Sequence, residues 1–157
     1  MGALSRRGRR VLGVCYNTEG GFSVSEPLAV PGFVHLRSAQ GAVDTIDRLE
    51  KIARAHGLTI FARIDFASDA AAVGLTLRPM VQLIFGNPRA GTPLLAASPT
   101  VGLELPLRAL AWEDATGRSW LSYPAPDQLV ERHHVPPALG SNIAALRTLC
   151  EAAVERG

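Results

Sequence analysis

The sequence predicts an α+β domain, a mainly antiparallel sheet with two long helices on one face. Two observations carry this. Apolar residues recur at helical spacing in two long stretches, about Ala42–His56 and the segment after Ser141. The order of elements reads strand, helix, four strands, helix, with small helices inserted, and successive strands before the closing helices favour α+β over alternating βαβ units. A chain of 157 residues, 47% apolar and 19% charged, forms one globular domain with a real core.

Phe33–Leu36 reads as a short entry strand. In the helix that follows, Val43, Ile46, Leu49 and Ala53 form the apolar stripe, Asp44 suits the first turn, and Gly57 suits a left-handed stop. "TIFARIDF" alternates, with Ile60, Ala62, Ile64 and Phe66 on one side and Phe61, Arg63 and Asp65 on the other. "DAAAVGL" is a short helix ended by Gly74, and "PMVQLIFG" is a more apolar, more central strand. Thr92 followed by Pro93 reads as a helix start, a hydroxyl cap and then proline at the first helical position. Pro99 and Gly102 end that helix. "LRALAWED" and "SWLSY" are strands joined by hairpin chemistry in "DATG". Pro126 opens a helix to about His133, Pro136 and Pro137 make a stiff link, and Ser141 caps the last helix, whose Ile143, Leu146, Leu149, Cys150, Ala153 and Val154 share a face.

Residues 1–32 read as a basic, flexible extension ahead of a single domain, 33–157. Removing Arg6, Arg7, Arg9 and Arg10 from the 16 basic residues leaves 12 against 14 acidic ones, so the body stands at −2 and the net +2 belongs to the tail. A nucleic-acid reader would carry its charge on a folded face, so no nucleic-acid partner is expected. Val11–Tyr16 is too short for a signal h-region, and no apolar run reaches the roughly 20 residues of a membrane span. Cys15 and Cys150 lie far apart, in no metal-binding spacing, which suits a reducing, cytoplasmic setting.

"GNPRAGT", Gly86–Thr92, nearly spells a phosphate loop but lacks the lysine, and Pro88 removes a backbone donor. Two readings stand beside each other: a turn and helix cap, or weak anion capture at a helix start with Arg89 close by. Arg63 and Asp65 share a strand face and suit a surface ion pair. His133 and His134 are adjacent and unsuited to one metal. Trp112, Trp120 and Tyr123 read as cross-strand packing ahead of a base-stacking platform. Cys150 reads as an inert buried thiol.

Together, "IFGNPRAGTPLL", "LPLRALAWED" and "LVERHHV" resemble the bacterial and archaeal family called domain of unknown function 302, over about Phe33–Val135. The resemblance implies a TATA-binding-protein-like α+β fold and a small homodimer, and it implies no activity. The family's polar motif positions fall on Asp65, Asn87, Gly91, Thr92, Tyr123, Arg132 and His133. Phe66 stands where the family often has histidine, and Glu104 where it often has aspartate, which weakens an enzymatic reading. The expected function is therefore non-enzymatic binding of a small ligand, anions included, or of a partner protein, with no cofactor and no metal. Candidate ligand-binding residues are Asp65, Asn87, Arg89, Gly91, Thr92, Glu104, Tyr123, Arg132 and His133. The alternative is a metal- or acid/base-dependent enzyme using Asp65, Glu104 and His133.

Overall fold

The computed structural model describes residues 14–16, 22–24, 27 and 30–156. The arginine run Arg6–Arg10 lies outside the described residues. Ahead of the domain, β1 (Val14–Tyr16) and β2 (Phe22–Val24) pair antiparallel, Val14 opposite Val24.

The domain is built on one five-stranded antiparallel sheet. Its strands are β3 (Phe33–Arg37), β4 (Thr59–Asp65), β5 (Met80–Gly86), β6 (Leu107–Glu113) and β7 (Ser119–Pro124), in the order β3-β7-β6-β5-β4. The long helices α1 (Ala42–Ala55) and α5 (Ser141–Val154) pack on one face. Shorter helices, α2 (Phe66–Ala72), α3 (Pro88–Ala97) and α4 (Pro126–Arg132), sit in the connections. This is the α+β arrangement read from the sequence, and β5 is an interior strand as its composition requires.

The core lies between sheet and helices. Ile46 and Leu49 of α1, Leu83 and Phe85 of β5, Leu121 of β7 and Leu146 of α5 are all fully buried in it. The α1 stripe is shifted from the expected one. Val43 is 44% exposed, and Thr45 is buried instead. Thr45 satisfies its hydroxyl by donating to Gly41 O at 2.8 Å and accepting from Ser38 Oγ at 2.7 Å. A buried hydroxyl with both partners in place carries little cost. Gly57, at φ +74°, stops α1 as expected.

The alternation along β4 is broken by a bulge. Ile60 pairs with Phe85 but Ala62 pairs with Ile84, so the register shifts at Phe61. One extra residue flips every later side chain to the other face. Ile60 therefore packs on the helix-side core, while Ala62 and Ile64 share the opposite face with Ile84 and Gln82. Arg63 points to α1 and pairs with Asp47 and Glu50 rather than with Asp65.

The β6–β7 hairpin turns on Asp114, whose side chain is fully buried. Its Oδ1 accepts from Thr116 N, Thr116 Oγ1 and Arg118 N at 2.7–3.0 Å, and its Oδ2 accepts from Arg118 Nε and Trp120 Nε1 at 3.0 Å. Gly117 supplies the left-handed residue, φ +79°. Trp112 and Trp120 stack across the two strands, centroids 6.3 Å apart, whereas Tyr123 points to the opposite, helix-covered face. Ser141 is the first residue of α5 and makes no cap; Gly140 precedes the helix without a capping side chain.

Candidate functional site

The stretch after β5 folds differently from the Thr92–Pro93 reading. Asn87 is extended, φ −129° and ψ 118°, as a residue before proline must be, and it is the helix cap. Its Oδ1 accepts the Arg89 N–H at 2.9 Å, and its backbone O accepts Ala90 N at 3.0 Å and Gly91 N at 2.9 Å. Pro88 takes the first helical position, and Pro93 lies inside α3. Thr92 is thus an exposed helical residue, not a cap. Gly91 is helical and does not hold a positive φ. The sequence offered two Xaa–Pro starts five residues apart, and the earlier one wins because Asn87 can cap from its side chain while Gly86 ends the strand.

This geometry closes the helix start to anions. Pro88 has no N–H, and those of Arg89, Ala90 and Gly91 are already taken by Asn87. The free donors that anion capture at a helix terminus depends on are absent from this turn. Arg89 is exposed on the outer side of α3 and contributes no wall to the space below.

That space is a cavity of about 490 Å³ beneath residues 86–92, floored by α5 and closed on one side by the segment 102–107. Gly86, Asn87 and Gly91 line it from above, Leu105 and Leu107 from the side, and Leu146 from α5. Phe61, turned to this end by the bulge, adds an aromatic wall. A Cβ on Gly86 would stand 3.7 Å from Pro106 and 3.8 Å from the Phe61 ring, in ordinary contact. Asn142 of α5 also lines the cavity and donates from Nδ2 to Ala90 O at 3.0 Å, tying the two helices across it. The volume falls in the range of small-molecule sites, roughly 300–1,000 Å³, and the lining is apolar with a few polar groups at the rim.

Glu104 lies between the cavity-lining Gly102 and Leu105, and its side chain turns to the end of α4. Its Oε1 stands 2.7 Å from His133 Nε2 and accepts Arg132 Nη1 at 2.7 Å. His133 Nδ1 lies 3.0 Å from Thr100 Oγ1, and Ser98 Oγ donates to His133 O at 2.6 Å. The Glu104 and His133 side chains are only 19% and 9% exposed. Burial pushes the Glu104 carboxyl up, but the hydrogen bonds from His133 and Arg132 outweigh it and hold the group below its ordinary value. The Arg132 guanidinium lies across Gly32, φ +83°, where a Cβ would come within 2.5 Å of Nη2.

Asp65 and Tyr123 belong to neither group. Thr59 pairs with Gly86 and Asp65 with Val81, at opposite ends of β4, so Asp65 stands roughly 20 Å from the Gly86 end of the sheet. There it caps α2, accepting from Ser68 N at 3.0 Å and Ser68 Oγ at 2.9 Å, and the Ser68 backbone bond foremost lowers its pKa. Tyr123 is buried in the main core, where burial pushes its phenol up to about 12. The nine candidate residues thus divide. Asn87, Gly91 and Thr92 line the cavity, Arg89 sits outside it, Glu104, Arg132 and His133 form one ion-paired cluster, and Asp65 and Tyr123 stand apart. Phe61, Leu105 and Asn142 were not among the candidates; only the tertiary fold brings them here. Among the described residues, no group of three or more His, Cys, Asp or Glu side chains is placed to hold a metal ion.

A five-stranded antiparallel sheet, two helices on one face and an apolar cavity under a capped third helix define a small α+β domain with a ligand-sized chamber. The chain belongs to the family described as Domain of unknown function DUF302, matched over residues 34–154. It shares this fold with an uncharacterized conserved DUF302 protein from Bacillus stearothermophilus, known from a crystal structure. That likeness has a TM-score of 0.65 at 24% identity and covers 80% of this chain and 97% of the other. Two curated relatives are the proteins named Fluoride-specific ion channel FluC 1 of Brucella suis biovar 1 (strain 1330) and of Brucella abortus biovar 1 (strain 9-941). Each is 41% identical over 113 residues, 72% of this chain but only 44% and 41% of the relative. The chain therefore spans less than half the length of the curated relatives it matches. Among its described residues no helix is long and apolar enough to cross a membrane.

Proposed function

We propose that this chain is a non-enzymatic binding domain whose cavity beneath residues 86–92 holds a small, mainly apolar molecule. The observation that carries the reading is the cavity itself, about 490 Å³, with Phe61, Leu105 and Leu146 on its walls and Asn87, Thr92 and Asn142 among its few polar groups. Burying an apolar ligand there gains roughly 25 cal/mol per Å² removed from water. An anionic ligand is less well served, since the α3 start offers no free N–H and Arg89 alone stands near by. Cys150 is a free, buried thiol, in keeping with a reducing cytoplasm. A thermal-shift panel of neutral apolar compounds on the wild type and on Gly91→Phe, which fills the chamber, tests the proposal. Stabilisation of the wild type that disappears in the variant supports it; no stabilisation, or equal stabilisation of both, counts against it.

The 2.7 Å contact between Glu104 and His133 favours a second reading, acid–base chemistry at that pair. Asp65 is out of reach of it, and Arg132 shares the same Glu104 oxygen, which makes the carboxylate a poorer base. We read the cluster as a clamp fixing the segment before β6 onto α4. Turnover of any substrate that vanishes in His133→Asn while ligand binding persists would establish the enzymatic reading instead.

A partner protein, first of all a second copy of this chain, is the remaining part of the proposal. Val73 and Leu75 are 72% and 66% exposed, and Leu77, 41% exposed, follows in the same loop; exposed apolar residues grouped in this way are of the kind that marks contact surfaces. In the fluoride-channel relatives the matched segment is one part of a longer polypeptide, which supports docking of this domain to another protein.

A further inference from the structure

The face of the sheet turned away from α1 and α5 carries a second cavity, of about 450 Å³. Phe33, Met80, Leu110 and Trp112 give it apolar walls, and His35 and Arg108 also line it. Register places them on one face, since His35 and Leu110 both stand opposite Ser122, and Arg108 is two residues along β6 from Leu110. Two buried polar atoms here have no hydrogen-bond partner, His35 Nε2 and Arg108 Nε. Buried polar atoms are nearly always bonded, so two orphans in one cavity call for an explanation.

Both orphans are donors. Trp112 Nε1 donates to Ser122 Oγ at 2.9 Å, and the same oxygen lies 2.7 Å from His35 Nδ1. Among the described residues Ser122 Oγ makes no other hydrogen bond, so its hydrogen is assigned to Nδ1 and the ring proton to Nε2. Burial lowers the pKa of His35, which keeps the ring neutral. Arg108 is always charged; its one hydrogen bond, from Nη2, goes to the Leu103 carbonyl at 3.3 Å, and no carboxylate among the described residues pairs with it. The residues lining the cavity thus carry one positive charge with no carboxylate partner among the described residues, two buried N–H groups without a bond, and apolar side chains. Two carboxylate oxygens complement the two donors, and a single negative charge matches the guanidinium where a phosphate dianion would not.

We propose that this cavity binds a small apolar monocarboxylate, its carboxylate on Arg108 and His35 and its tail against Phe33, Met80, Leu110 and Trp112. The site is separate from the chamber beneath α3. Trp112 lines it and stacks on Trp120, so tryptophan emission reports its occupancy. The test is a fluorescence titration of the full chain with sodium octanoate, with octan-1-ol as the neutral control at constant ionic strength. Octanoate is expected to shift the emission saturably and to bind about tenfold or more tightly than octanol, the usual strength of a hydrogen bond to a charged group. Arg108→Met should abolish that preference and leave octanol binding unchanged; His35→Phe is the second variant should the first fold poorly. No saturable response to octanoate, equal binding of acid and alcohol, or unchanged octanoate binding in both variants would overturn the proposal. So would emission that responds only to protein dilution, which would give the face to a second copy of the chain.

Discussion

Asn87 Oδ1 accepts the backbone N–H of Arg89 at 2.9 Å, and with that bond the start of α3 is complete. The helix is capped five residues before Thr92, and the capping interaction is local and exposed. Asn87→Ala should therefore cost about 0.5–2 kcal/mol, the usual loss for an N-cap. Thr92→Ala should be nearly silent. Urea unfolding of both variants checks this; a larger loss at Thr92 than at Asn87 would put the cap where the dipeptide Thr92–Pro93 suggested.

Gly91 gives the opposite of a turn glycine. It is helical, and an added Cβ would meet only Leu105 Cδ1 at 3.9 Å, ordinary contact. Gly91→Ala should raise stability by about 0.5–1 kcal/mol, because alanine loses less conformational entropy in a helix. A fall in melting temperature would mean the backbone there is not helical.

Asp114 is expected to make the fold acid-sensitive. Burial alone would raise its pKa, but hydrogen bonds from Thr116, Trp120 and the Arg118 backbone hold it far below the usual carboxylate range. The unfolded chain then binds this proton more readily than the folded one, so the stabilisation is fully present above about pH 4 and is lost as pH falls below that. Asp114→Asn should flatten the acid limb of a stability–pH profile. Asp114→Ala should cost on the order of 3 kcal/mol, since it strands the Trp120 and Arg118 donors. An unchanged acid limb in Asp114→Asn would assign the acid sensitivity to another carboxylate.

The strands, the two long helices and their order were legible because period and turn chemistry are local. What escaped was set by competition or by tertiary contact. Phe61 looked like one more alternating residue, yet the bulge turns it to the chamber and moves Ile64 to the far face. Val43 fitted the α1 stripe, but Thr45 could satisfy its hydroxyl inside and took the buried place. Among the candidate residues, Asn87, Gly91 and Thr92, singled out by their motif, line the cavity, and Glu104 and His133, named separately, are neighbours. Asn142 and Leu105 carried no local signal, because only the packing of α5 and the 102–107 segment against α3 makes them walls.

The exposed run Val73–Leu77 bears on assembly. A self-association through it should place the chain largely as a dimer at micromolar concentration, and Leu75→Glu should shift it to monomer without lowering the melting temperature. Sedimentation velocity reads both; a wild-type species at only the 16.7 kDa of one chain would exclude the dimer.

Whether the chamber beneath residues 86–92 binds an apolar molecule is read residue by residue by methyl NMR with indole as probe. The expected result is a saturable set of shifts confined to the methyl groups of Leu105, Leu107 and Leu146, lost in Gly91→Phe while the rest of the spectrum is kept. Shifts that miss those residues, or that survive with the chamber filled, would contradict it.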